Sequence, residues 1–319
     1  MGYAMVMGEA LIDLLEAEAG RELIYRQAIG GAPLNVAVAV SRLGGDVEFA
    51  GSLGTDVLGD RIAALLAEAG VGGRGIRRVA VPTTLAVTTF EGAEPTFTFY
   101  GEPPSYALLG PGDLDLGRVA RADVLYAGSI CLLREPFRSA ARAAWDVAGP
   151  VKVFDPNVRP TLLPDDAAVD ALRELVEEFF ATADLVKLSS ADALVLYREP
   201  DPAAAAERIL ALGAGAVVVT CGSKGAHVAT AASEASASEA SAGGVMLPAP
   251  KVSAVDATGA GDSVMGALIS RLLAEGRPAS RDDWERHVRF ALGVAGLVCE
   301  RQGGATAMPT EAELAARWD

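Results

Sequence analysis

The stretch Asp256-Ala257-Thr258-Gly259-Ala260-Gly261-Asp262 runs straight into residues 263–273, whose composition favours a helix. Small residues just before a helix let backbone amides converge, and the helix dipole adds positive potential. The turn is therefore an anion cradle suited to a phosphoryl group in transfer. Asp262 opens the helix and has two readings, a partner of the dipole or a carboxylate facing the bound group. Outward from this turn, apolar β-branched runs at 47–52, 124–127, 151–154, 185–188 and 216–220 alternate with Ala/Leu/Arg/Glu segments of helical period. Those segments lie at 34–43, 61–69, 137–147, 167–181, 202–212, 263–274 and 284–300. This is the βαβ rhythm of a mainly parallel sheet covered on both faces, and short connections favour one doubly wound domain over residues 1–319.

Two stretches, 9–29 and 83–101, break the rhythm. Alternation at Leu85, Val87 and Thr89, then at Phe97 and Phe99, predicts antiparallel hairpins that form a small β lid over one end of the domain. Open strand edges in such a lid offer a surface that a second copy could cover, so a homodimer through the lid is expected. Residues 231–244 (AASEASASEASAGG) hold no large apolar side chain and read as a mobile loop.

The 27 basic and 42 acidic residues give 27 − 42 = −15, which opposes binding to nucleic acid and to anionic membrane. No run approaches the roughly twenty apolar residues of a membrane span. The first fifteen residues lack a basic leader, so a soluble cytoplasmic protein is expected. Cys131, Cys221 and Cys299 are odd in number and widely spaced, which suggests neither disulfides nor a thiolate metal site. His227 and His287 lack a metal-ligand spacing and read as structural.

Further polar clusters sit where strands end. Gly30-Gly31-Ala32-Pro33-Leu34-Asn35 opens an Ala/Val-rich helix, where paired glycines let a ligand touch backbone and Asn35 can donate to and accept from sugar hydroxyls. Asp155-Pro156-Asn157-Val158-Arg159 follows a buried strand, the place where functional residues of open α/β sheets gather, although Asp, Pro and Asn also favour a plain turn.

The opening stretch resembles the C-terminal signature of the ribokinase-like (PfkB) carbohydrate kinases, Asp-Thr-x-Gly-Ala-Gly-Asp, with Ala257 where Thr is common. Gly30 to Asn35 is similar to the family's Gly-Gly-x-x-x-Asn signature, and Gly8-Glu9-Ala10-Leu11-Ile12-Asp13 resembles the opening of its fructokinase branch. The quintet at 155–159 matches the Asp-Pro-Asn-x-Arg of fructokinase and 2-keto-3-deoxygluconate kinase relatives. The resemblance spans Gly8 to Pro309 and implies a three-layer α/β/α ribokinase-like fold with a mostly parallel sheet and a small β lid.

It further implies an ATP-dependent sugar kinase, with fructose as the first choice of sugar. Asp262 would be the catalytic base and the amides of Gly259, Ala260 and Gly261 the hole for the phosphoryl group. Asp13, Gly30, Gly31, Asn35, Tyr100, Asn157 and Arg159 would face the sugar. Lys187-Leu188-Ser189-Ser190-Ala191-Asp192 aligns with a family position written Asn-x-x-Glu, and Thr220-Cys221-Gly222-Ser223-Lys224-Gly225 resembles its nucleotide turn. By that alignment Lys187, Ser189, Thr220, Gly222 and Gly225 bind ATP, and Asp192 acts on Mg²⁺ through water, with a plain helix-start role as the other reading. Segments 291–295 and 303–305 match where relatives wrap adenine and, in some members, a monovalent cation such as potassium. Ribose, a nucleoside or 2-keto-3-deoxygluconate as acceptor, and a catalytically silent sugar-binding regulator, are the rival readings. In the lid this chain has Gly101 where relatives commonly carry Arg, and Tyr106 where fructokinases often have Asp.

Overall fold

The computed structural model describes residues 2–19, 22–91, 94–231 and 244–318; apart from its two end residues, the loop expected at 231–244 lies outside them. From β1 (Ala4–Met7) the chain leaves through β2 (Leu11–Ala19) and β3 (Glu22–Gly30), and returns by α1 (Ala32–Arg42), β4 (Val47–Gly54), α2 (Val57–Glu68) and β5 (Gly72–Val79). A second excursion makes β6 (Leu85–Glu91) and β7 (Glu94–Tyr100) before α3 (Leu116–Arg121), β8 (Val124–Gly128), α4 (Phe137–Trp145), β9 (Val151–Asp155), α5 (Asp166–Phe180) and β10 (Leu185–Ser189). The rest is α6 (Ser190–Tyr197), α7 (Pro202–Leu212), β11 (Ala216–Thr220), β12 (Ala226–Thr230), β13 (Val245–Leu247), α8 (Ala260–Glu275), α9 (Arg281–Cys299) and α10 (Glu311–Trp318).

Nine strands form one sheet in the order β13-β12-β11-β10-β9-β8-β1-β4-β5. All pairings are parallel except those made by β12. Side chains alternate across this sheet, and both faces are buried. Ala4, Val6, Tyr126 and Val218 pack against a layer that includes α1, α8 and α9, while Met5, Met7, Leu125, Phe154 and Val219 pack against one that includes α4, α5 and α7. Strand order reverses at β1, with β4 on one side and β8 on the other, which opens a crevice beyond the carboxyl ends of these two neighbours.

A separate four-stranded sheet, β3-β2-β6-β7, is the lid: two antiparallel hairpins joined by parallel pairing of β2 with β6. One close helix contact positions the crevice. A methyl placed on Gly266 of α8 would stand 2.4 Å from Ala39 Cβ of α1, so these helices meet almost backbone to backbone. Asn35 and Asp262 lie one turn before Ala39 and Gly266, and this contact brings them face to face. Among the described residues no helix is long and apolar enough to cross a membrane.

Candidate active site

Gly259 caps α8 in the left-handed region (φ 77°), so the helix starts at Ala260 and Asp262 lies inside its first turn, not ahead of it. The Asp262 carboxylate is 8 % exposed. Asn35 Nδ2 donates to Oδ2 at 2.8 Å and Asn157 Nδ2 to Oδ1 at 3.3 Å, so each oxygen keeps a lone pair for a further donor. Asn35 Oδ1 is buried with no partner in the protein, an open acceptor beside the base. The Ala260 amide donates to Ala257 O (3.1 Å), which corrects the expectation that it lines the anion hole; the first-turn amides of Gly261 and Asp262 have no intrahelical acceptor. A methyl on Gly261 would stand 3.2 Å from Lys187 Nζ, so a buried ammonium lies against the same turn. Burial opposes the charge on Lys187, but Asp155, whose Oδ2 accepts from Nζ at 2.7 Å, together with Asp192 and Asp262 outweighs it and holds the ammonium above its ordinary range, while burial raises the Asp155 carboxyl to about 6 against the pull of Lys187.

On the lid side, the Asp13 carboxylate lies over Gly30, where a methyl would come within 1.9 Å of Oδ2. Burial raises Asp13 to about 6, against the pull of Arg159. At Gly31 (φ 116°) a side chain would strike Glu9 O at 2.5 Å, so only glycine lets the chain pass there. Arg159 is exposed and donates to Asn157 Oδ1. Tyr100 departs from expectation: it ends β7 with 55 % exposure, while Phe99 and Gly101 line a cavity of about 550 Å³ between lid and core. Successive strand residues face opposite ways, so the inward position falls to Phe99. Tyr106, Ile130, Arg134 and Arg138 also line this cavity. Sequence reasoning missed Glu9, which is buried at the end of β1 and accepts from Ser129 Oγ at 2.6 Å, bridging the point where strand order reverses. Burial pushes its carboxyl up, and the Ser129 bond only partly offsets this.

On the other side, Ser189 and Thr220 stand level on β10 and β11. The Gly222 to Gly225 turn is a tight hairpin, with Cys221 N bonded to Gly225 O at 2.7 Å and Gly225 at φ 104°, where a methyl would meet Leu247 O at 1.9 Å. Asp192 closes a capping box with Ser189: Oδ2 accepts from Ser189 N and Oγ, both at 2.7 Å, and Oδ1 from Val158 N at 2.9 Å. The helix-start reading describes what Asp192 does here, and its oxygens tie β10 to the 155–159 loop. Among the described residues no group of three or more His, Cys, Asp or Glu could hold a metal ion. Asp256 Oδ2 accepts from Gly303 N at 3.0 Å, which draws the 303–304 turn over Gly259 and Asn35. His227 and His287 are buried, and none of the three cysteines is in a disulfide.

The pfkB family carbohydrate kinase model matches residues 1–311. A probable fructokinase-2 of Arabidopsis thaliana is 33 % identical over 325 residues, covering 98 % of this chain and 94 % of the relative. Among solved structures, a fructokinase from Xylella fastidiosa with bound ATP superposes with TM-score 0.86 at 30 % identity, over 98 % of this chain and 97 % of that one. A fructokinase from Vibrio cholerae O395 in fructose-, ADP- and calcium-bound form gives 0.85 at 28 % identity, over 100 % and 99 %.

Proposed function

Because the chain belongs to the pfkB family of carbohydrate kinases, and so is an ATP-dependent sugar kinase, we propose that it phosphorylates a hydroxymethyl group of fructose. The observation that carries this reading is the carboxylate of Asp262, clamped by two amides at a helix N-terminus with an open acceptor, Asn35 Oδ1, beside it. A sugar hydroxyl can donate to Asn35 Oδ1 while its neighbour gives its proton to Asp262. The freed oxygen bonds to the γ-phosphorus, the bond to the β-phosphate oxygen breaks, and ADP leaves. First-turn amides and the α8 dipole stabilise the charge on the phosphoryl group, with Lys187 behind them.

Asp13, Gly30, Gly31, Asn35, Asn157 and Arg159 make up the sugar side of this reading, and Lys187, Ser189, Thr220, Gly222 and Gly225 the nucleotide side. Mg²⁺ would neutralise ATP phosphates, with Asp192 in reach only through water, and a monovalent cation such as potassium fits the same picture. The lid belongs with the α/β core in one kinase domain, and its exposed edge strands suit a homodimer. A cytoplasmic location follows from the substrates.

Arg134 and Arg138 favour a second reading, since a guanidinium in the lid cavity can pair the carboxylate of 2-keto-3-deoxygluconate. Arg138 is bonded to Glu135 (3.1 Å), and Gly101 brings no charge, so the neutral ketohexose is preferred. ATP consumption over a panel of sugars tests this: higher kcat/KM for fructose supports it, a preference for the acid transfers the assignment to the second reading, and no turnover with any sugar leaves a silent binding protein.

A further inference from the structure

Behind the base runs a second row of buried polar groups. Lys187 on β10 is 4 % exposed and Asp155 on β9 is fully buried, and they pair at 2.7 Å. The other Asp155 oxygen, Oδ1, accepts from the Asn157 amide at 3.1 Å. That bond folds the chain back at once, with Asn157 in the left-handed region at φ 40°. So turned, Asn157 sends Nδ2 to Asp262 Oδ1 at 3.3 Å. The orientation of its amide is fixed chemically, because Arg159 has only donors to offer and bonds to Asn157 Oδ1, so the donor end must face Asp262.

We infer that Lys187, Asp155 and Asn157 form a positioning relay for Asp262: the buried ion pair anchors the left-handed turn, and the turn aims an amide that keeps the base oriented. This rests on Asp262 being the base. None of the three takes the hydroxyl proton. Besides the contact of Lys187 with the phosphate turn and of Asn157 with the sugar, their work in the relay is to hold the Asp262 carboxylate in place.

Asn157→Gly removes the amide while tolerating the positive φ, so the backbone is not strained. Expected are a fall in kcat of about tenfold to a hundredfold, as for a slightly misplaced group, and a KM for ATP within about twofold of the parent. Lys187→Met with Asp155→Asn removes both charges together and leaves no buried ion unpaired; it should also lose turnover at unchanged melting temperature. Adding Asn157→Gly to that pair should then cost little more, because groups acting as one unit are not additive. Independent multiplication of the two losses, or a loss matched by unfolded protein, overturns the relay. The Asp262 ¹³Cγ resonance at fixed pH, assigned with Asp262→Asn, needs no turnover: both Asn157→Gly and the Lys187→Met, Asp155→Asn pair should move it, and a resonance that neither moves overturns the relay. If the parent consumes no ATP with any sugar, the functional reading fails, and the relay is still judged by that resonance.

Discussion

At Asp13, burial lifts the carboxyl from its ordinary 3.8 to about 6, with Arg159 pulling the other way. A raised folded value means that the native state holds its proton more tightly than the unfolded chain. Below 3.8 both states are protonated and the group costs nothing; between 3.8 and about 6 the unfolded chain ionises first and stability falls as pH rises. Above about 6 the cost is complete, on the order of 2 to 3 kcal/mol. Asp13→Asn is therefore expected to raise stability at pH 7.5 and to leave it unchanged at pH 3.5, while KM for the sugar rises. Denaturant titrations at the two pH values, paired with kinetics, check this, and an equal effect at both pH values would remove burial as the cause. Asp262→Asn keeps shape but loses the base, so kcat should drop by on the order of 10² to 10⁴ with ATP affinity near normal. Turnover within a few-fold of the parent would end the assignment. Asp262 and Asn35 were legible because each sits in a short motif with local geometry. The Asp155–Lys187 pair was not, because it joins residues 32 apart that meet only when β9 and β10 align.

Between elements, the contact of α1 with α8 at Ala39 and Gly266 sets the Asn35–Asp262 distance. Gly266→Ala places a methyl 2.4 Å from Ala39 Cβ and 3.0 Å from Val36 O, so the helices must separate. Such overpacking costs typically 1 to 3 kcal/mol. The expected result is a lower melting temperature together with a fall in kcat larger than the loss of folded protein explains. Ala39→Gly added to it takes away the nearest colliding atom and should restore part of both. If stability falls and kcat does not, this contact is packing alone. Nothing in the sequence pointed to Gly266, since a glycine inside a helix reads first as a weak spot. The buried parallel strands were legible as apolar runs, whereas the edge strand β5, GGRGIRRV, offers glycine and arginine where strand propensity is judged. α2 begins four residues before the expected start because Asp56 caps it, its side chain accepting from Gly59 N.

For the whole molecule, the open question is what covers the lid. The edges of its sheet are β3 and β7, and β3 exposes Leu23 (62 %) and Tyr25 (45 %) on one face, opposite Glu18 and Glu16 of β2. These two make a short apolar strip next to the unpaired backbone groups of an edge strand, a combination that single chains avoid and partners cover. A second copy is the partner that is always present. Sedimentation should therefore give twice 32.7 kDa at micromolar concentration. Each chain carries a net charge of −15, so association works against mutual repulsion, and added salt should tighten the dimer by screening it. An interface built from surface ion pairs would respond the other way. Leu23→Glu with Tyr25→Glu buries charge in the strip and should yield monomers. Because β3 ends at Gly30 and pairs with Asp13 through Ala28, an unsupported lid should also raise KM for the sugar more than KM for ATP. A chain that sediments at 32.7 kDa at every salt concentration, with the double variant kinetically equal to the parent, would leave the lid a device of the single molecule.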